Sequence, residues 1–142
     1  MIKGYSISSD QSKMDLNAIH TYLSKSYWAE GVPRETLAKA LQNSLCFGVF
    51  CADQQIGFAR LITDKATFAY LADVYILEQH RGKGLSKWLM QEIIRHPQNQ
   101  GLRRIVLATK DAHSLYAQYD FKALTHPDKF MELWKPDVYQ NS

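Results

Sequence analysis

Between a strand-like run ending at Leu77 and an amphipathic run beginning at Leu85 lies Gln79-His80-Arg81-Gly82-Lys83-Gly84. Glycines at 82 and 84 let the backbone turn tightly and bring its amides against a ligand with no Cβ in the way. The orphan amides of a helix start and the helix dipole favour an anion there, and Arg81 and Lys83 add positive charge. From Gln79 to Lys110 the basic residues Arg81, Lys83, Lys87, Arg95, Arg103, Arg104 and Lys110 face the single acid Glu92. A field of that sign suits a phosphate or pyrophosphate. The dinucleotide fingerprint requires a third glycine where Lys87 stands, and the Walker pattern is absent.

The elements that hold this loop are legible from periodicity. Lys3–Ser8 alternates as a short first strand, and Ser12–Tyr27 carries Leu16, Ile19, Tyr22, Leu23 and Tyr27 at helical spacing. Pro33 suits the start of a second helix through Leu37, Ala38, Ala40 and Leu41. Leu45–Ala52 and Ile56–Thr63 read as a hairpin around Asp53-Gln54-Gln55, and a second short turn, Asp64-Lys65-Ala66, leads to a strand over Thr67–Leu77. After the loop, Leu85, Trp88, Leu89 and Ile93 form one face of a helix, widened by Met90 and Ile94. Arg104–Ala108 reads as a buried strand reached by a parallel crossover. His113–Tyr119 reads as a short helix, with Phe121–Leu124 and Phe130–Trp134 as strands closing the sheet. The pattern predicts an α/β fold: one domain over residues 1–142, with a mixed, mostly antiparallel central sheet flanked by helices.

Composition bounds the function classes. The chain has 142 residues, 46% of them hydrophobic and 22% charged, with a formal net charge of +3, a globular balance rather than a disordered one. The longest clean apolar run, Leu45–Ala52, is far short of the ~20 residues that span a bilayer. The start Met1-Ile2-Lys3-Gly4-Tyr5 lacks a secretory apolar segment, so the expectations are a cytoplasmic location and no membrane partner. Cys46 and Cys51 on one strand would sit about 16 Å apart at ~3.3 Å per residue, too far for a disulfide. No Cys-x-x-Cys or His-Glu-x-x-His spacing occurs, so no metal is assigned. A nucleic-acid surface needs aromatic platforms among its cations. The basic run offers only Trp88, expected on the buried helix face.

Val74-Tyr75-Ile76-Leu77-Glu78-Gln79-His80-Arg81-Gly82-Lys83-Gly84-Leu85 resembles the signature segment of the GNAT superfamily of N-acetyltransferases, whose Arg/Gln-x-x-Gly-x-Gly/Ala motif is met by Gln79, Gly82 and Gly84. A second family segment, Ala-x-x-Leu-Tyr-x-x-x-Gly-Phe, is met by Ala112, Leu115, Tyr116 and Phe121. The element order agrees too, over roughly Ile2 to Trp134. The chain departs from the family at three positions: Asp120 replaces the usual Gly, Thr109 a frequent Asn, and Ser86 a third small Gly. Asp tolerates a left-handed turn; Thr109 puts one cofactor-side hydrogen bond in question.

The resemblance implies acetyl-CoA as donor and a primary amine of a small or amino-acid-like molecule as acceptor. The alternatives are a protein lysine or N-terminal acetyltransferase and a non-catalytic acyl-CoA-binding module. It implies that Val74, Tyr75 and Ile76 pair with the pantetheine arm and that the amides from Arg81 through Gly82, Lys83, Gly84 and Leu85 to Ser86 hold the pyrophosphate. An amide near Val74 or Tyr75 would polarise the thioester carbonyl. Tyr116 takes the family's general-acid position. For the base, Asp73 is the candidate: it interrupts an apolar strand, and alternation gives it a face in common with Tyr75. Its other readings are an orienter of the substrate ammonium or a structural acid. Tyr27 and Trp28 fall where the family walls its acceptor site. Arg60 can meet an acceptor carboxylate bidentately, or pair with Asp64 or Asp73. A homodimer is expected by analogy with relatives that pair.

Overall fold

The computed structural model describes residues 1–141. The chain divides into two compact units, Met1–Ala108 and the segment from Thr109 onward. The first contains five strands, β1 (Tyr5–Ser8), β2 (Leu45–Cys51), β3 (Gln54–Thr63), β4 (Phe68–Ile76) and β5 (Arg104–Leu107), in one sheet of order β1-β2-β3-β4-β5. The first four run antiparallel, and β5 joins β4 in parallel. Three helices belong to this unit: α1 (Leu16–Leu23), α2 (Arg34–Gln42) and α3 (Leu85–Arg95). The α/β class and the mixed, mostly antiparallel sheet agree with the sequence.

The core forms where sheet and helices bury their apolar residues. Phe47, Val49, Ile56, Phe58 and Leu61 from β2 and β3 are buried, as are Ile19 and Leu23 of α1 and Leu85, Leu89, Met90 and Ile93 of α3. Trp88 departs from expectation: it sits at the margin of the α3 stripe, half-buried, and its indole N–H donates to Glu92 at 3.1 Å. The first helix is shorter than its periodicity predicts. Asp15 caps it by accepting the Ala18 N–H at 3.1 Å. Past Leu23, Ser26 draws the chain out of the helix by donating to the Leu23 carbonyl at 2.7 Å and accepting from the Ala29 N–H at 3.1 Å.

The β2–β3 turn is Ala52-Asp53, so β3 begins two residues earlier than expected. Gln55 is buried inside that strand, accepting the Asp15 N–H at 2.8 Å and donating to the Gly57 carbonyl at 3.1 Å. At the next turn the Asp64 carboxylate accepts the amides of Ala66, Thr67 and Phe68 and the Thr67 hydroxyl. The Thr67 bonds above all hold its pKa well below the usual carboxylate range. Cys46 and Cys51 are both free thiols; burial pushes the Cys46 thiol up to about 11.

In the second unit, α4 (His113–Ala117) is followed by a left-handed residue, Asp120, at φ 69°. Asp therefore adopts the turn for which the family uses glycine. Thr109 Oγ1 accepts the Ala112 N–H at 3.0 Å ahead of the helix. The expected strands Phe121–Leu124 and Phe130–Trp134 do not form. Pro127 starts a 3-10 turn over Pro127–Lys129 that engages the Phe130 N–H at 3.1 Å, and Pro136 cannot donate to a ladder. The β5 strand is likewise only partly buried, not buried as its apolar run implies.

Candidate functional site

Strands β4 and β5 pair only from Phe68↔Arg104 to Leu71↔Leu107. Beyond Leu71, β4 continues to Ile76 with its hydrogen-bonded register on the β3 side alone. The departure coincides with a bulge. From Phe58↔Tyr75 to Arg60↔Ala72, β3 advances two residues while β4 advances three. The extra residue falls at Asp73, which takes φ 57°. Asp is among the few side chains that accept this left-handed backbone, and a bulge here bends β4 and re-aims its side chains. Simple alternation does not carry through a bulge, so the face shared by Asp73 and Tyr75 rests on the tertiary contacts below.

The open stretch of β4 runs directly into the glycine loop. Gly82 and Gly84 both hold left-handed backbone, at φ 79° and 85°. A Cβ at Gly82 would meet nothing within 4 Å, and one at Gly84 only Ile2 Cδ1 at 3.8 Å. Backbone conformation, with space kept open beside it, is what selects glycine here. Gly84 is the N-cap of α3, no side chain caps it, and the first helical bond runs from the Trp88 N–H to the Gly84 carbonyl at 3.1 Å. The N–H groups of Leu85, Ser86 and Lys87 therefore project from the helix start. Leu85 keeps its side chain in the core, so only its backbone serves the loop. Gln79 and Lys83 are exposed. On the preceding turn, the Tyr5 hydroxyl and His80 Nδ1 form a hydrogen bond of 2.8 Å.

Arg81 folds back along the protein: Nε donates to the Ile76 carbonyl at 2.8 Å and Nη2 to the Tyr22 hydroxyl at 3.2 Å. Tyr22, which periodicity reads as one more helix-face residue, stacks on Tyr75 with ring centroids 3.9 Å apart and planes 9° from parallel. It also lies 6.5 Å from the Trp28 ring. Burial holds the Tyr75 hydroxyl far above the usual phenol range, with Tyr22 adding to the effect. Tyr27 packs edge-on against Trp28 at 5.1 Å. Trp28 and Tyr27 are 41% and 65% exposed, so this row presents aromatic surface at its outer end. No single-sequence signal marks Tyr22, because its partners lie on β4 and in the loop.

Behind the row is an ion pair. Arg60 Nε donates to Asp73 Oδ2 at 2.5 Å, and the side chains are 16% and 7% exposed. The Trp28 indole N–H donates to Asp73 Oδ1 at 2.8 Å, and Arg60 Nη1 donates to Ser44 Oγ at 3.1 Å. Each Asp73 carboxylate oxygen thus holds one donor. Of the two partners anticipated for Arg60, it takes Asp73. Within the first unit the structure gathers Trp28, Arg60, Asp73 and Tyr75 around one stretch of β4. In the second unit Tyr116 is buried, with its ring 5.9 Å from Phe121 and edge-on to it. Among the described residues no group of three or more His, Cys, Asp or Glu side chains could hold a metal. No helix among them is long and apolar enough to cross a membrane.

Comparison with known proteins agrees with this geometry. A Xanthomonas campestris pv. campestris crystal structure, of an acetyltransferase assigned to the GNAT family, superposes with a TM-score of 0.94 at 46% identity, covering 98% of this chain and 99% of that one. A Gibberella zeae protein whose name assigns it to the acetyltransferases is 34% identical over 137 residues, covering 80% of this chain and 76% of its own. A Clostridium acetobutylicum protein crystallised with acetyl-CoA shares the fold at 16% identity, with a TM-score of 0.65 over 94% of this chain and 96% of its own. The sequence profile of the acetyltransferase (GNAT) family matches residues 15–121. With its motif loop set between an open strand edge and an uncapped helix start, the chain belongs to the GNAT family of acetyltransferases.

Proposed function

We propose that this acetyltransferase moves an acetyl group from acetyl-CoA directly to a primary amine of a small, amino-acid-like acceptor. The observation that carries the reading is the continuity of the unpaired β4 edge past Leu71 with the left-handed glycines and the uncapped start of α3. An extended arm carrying amides pairs with such an edge as an added strand would. A pyrophosphate suits a helix start whose amides project outward. The residues therefore fit acetyl-CoA: Val74, Tyr75 and Ile76 for the arm, and the backbone of Arg81 to Ser86, with Gln79 and Lys83 beside it, for the phosphates. When bound, acetyl-CoA supplies an activated thioester carbonyl.

The chain's own residues supply the rest. A β4 amide near Val74 or Tyr75 donates to the oxygen on which charge develops. An alkyl ammonium with a pKa near about 10.4 must lose a proton before it attacks. Asp73 is suited to orienting that ammonium rather than to taking its proton, because both of its oxygens already accept from Arg60 and Trp28. Water carries the proton away. Tyr116 donates its phenolic O–H to the departing thiolate. Tyr27 and Trp28 wall the acceptor, and Arg60 holds that wall through Asp73. A walled aromatic surface favours a small acceptor over an extended peptide.

The deciding experiment is calorimetric titration with acetyl-CoA, then thiol release on the same sample against small amines, amino acids and lysine peptides. Release with a small amine class supports the reading. Release with peptides alone moves the acceptor to protein lysines. Binding without release across the panel leaves the non-catalytic module.

A homodimer is the partner reading. Met131, Leu133 and Trp134 are between 72% and 97% exposed, and β5 is the last strand of the sheet among the described residues. The Phe130–Trp134 segment of a second copy has the apolar character to cover that edge, and its Glu132 complements Arg103 beside β5.

A further inference from the structure

We propose that Tyr22 is a positioning residue that couples occupancy of the glycine loop to the setting of the aromatic wall at Trp28. The inference rests on the loop being the pyrophosphate site proposed above, and it adds a link between that site and the acceptor side. Three contacts converge on this one side chain. Its hydroxyl accepts from Arg81 Nη2 at 3.2 Å, its ring stacks on Tyr75 at 3.9 Å, and its ring lies 6.5 Å from Trp28 at a 49° tilt. Arg81 precedes Gly82 in the chain, and its guanidinium, bonded back to the Ile76 carbonyl and the Tyr22 hydroxyl, ties the start of the loop to that ring. At the far end of the row the Trp28 indole N–H is bonded to the buried Asp73 carboxylate at 2.8 Å, which keeps the indole beside Tyr22, where it senses a shift of that ring.

The chemistry of the Arg81 end makes the link responsive. Its Nη2 is bonded to a neutral phenol oxygen, and a bond between two charged partners, guanidinium and phosphate, is stronger than one to a neutral acceptor. A pyrophosphate on the loop therefore competes for Arg81 and releases the Tyr22 hydroxyl. With Tyr75 beneath it and Trp28 beside it, the Tyr22 ring cannot resettle without altering the packing against the indole. The two sites are coupled only as far as that differential contact goes.

Fluorine NMR tests the proposal on the full chain labelled with 5-fluorotryptophan. The three tryptophans, Trp28, Trp88 and Trp134, report separately, and Trp28→Phe assigns the relevant signal. The probe is ADP, which carries the pyrophosphate without a pantetheine arm and so cannot itself reach along β4 to the wall. Calorimetric titration with ADP on the same sample reads occupancy, and Trp88, in the first turn of α3, is a second reporter. The expected result is that ADP shifts both Trp88 and Trp28. In Tyr22→Phe, which keeps the ring stack, ADP still shifts Trp88 but the Trp28 response is lost. A Trp28 signal that stays still while ADP binds to the unsubstituted protein overturns the coupling and leaves the loop assignment standing. An undiminished Trp28 response in Tyr22→Phe removes the hydroxyl from the link and overturns the proposal too. If calorimetry finds no ADP binding, the loop assignment fails and the coupling falls with it.

Discussion

The Trp28 indole N–H and the Asp73 carboxylate, 45 residues apart in sequence, are joined by a 2.8 Å hydrogen bond, so the aromatic pair of Tyr27 and Trp28 is tied to the bulge of β4. The bulge in the β3–β4 pairing, just past the last β4–β5 pair at Leu71, carries the carboxylate bonded to Arg60 and Trp28. One backbone irregularity thus stands where the β4–β5 pairing ends and also holds the Trp28 indole.

Asp73→Ala should destabilise the protein by about 3 kcal/mol, since it leaves Arg60 buried without its counter-charge. Asp73→Asn should cost less, because an amide oxygen still accepts the Trp28 N–H. Urea unfolding of both variants checks the order. If Asp73 orients rather than takes a proton, Asp73→Asn lowers kcat/KM while leaving the acidic limb of its pH profile in place.

Gly82→Val should lower acetyl-CoA affinity by roughly tenfold or more, a loss of about 1.4 kcal/mol or greater. The substitution forces a β-branched residue into φ 79° and fills the open space beside Gly82. The strain costs about 1–2 kcal/mol, which a domain of this size survives. Calorimetry and a thermal melt on one preparation separate the two effects; a folded variant with unchanged affinity would remove the loop from the site.

Tyr116→Phe should lower kcat by about a hundredfold, the scale of general-acid assistance, with acetyl-CoA affinity little changed. Steady-state kinetics beside direct titration read this, and equal turnover would take Tyr116 out of the mechanism.

His96 should make stability fall on mild acidification. Its Nδ1 accepts the Gln98 N–H at 3.2 Å while Nε2 pairs with Ser9 Oγ at 3.2 Å. Burial, the largest cause, lowers its pKa from the ordinary 6.5. The folded state thus binds the proton less readily than the unfolded chain does, so stability is full above about 6.5 and declines as pH drops toward the folded pKa. Melting temperatures between about pH 7.5 and about pH 5 should fall less steeply in His96→Asn than in the unsubstituted protein.

Trp134→Asp and Leu133→Asp should shift the protein from dimer to monomer in size-exclusion chromatography with light scattering. An unsubstituted protein that is already monomeric at high concentration would end the homodimer reading.

Local chemistry was enough to read the loop and most elements from the chain alone. Gly82 and Gly84 announce a turn that only glycine makes easily, and the spacing of Leu85, Leu89 and Ile93 announces the helix behind it. The short turns at Asp53 and Asp64 imply antiparallel neighbours, and the long crossover implies a parallel β5. Tertiary structure decided the rest. Periodicity assumes a regular strand, so it could not foresee the extra residue at Asp73, which depends on how β4 registers against β3. Nor could it show that Arg60 and Trp28 converge on that carboxylate, or that Tyr22 bridges Arg81 and Tyr75, because those partners are distant in sequence. The apolar run Phe130–Trp134 was expected to close the sheet as a strand, but a strand needs a ladder partner, and sequence pattern alone does not supply one.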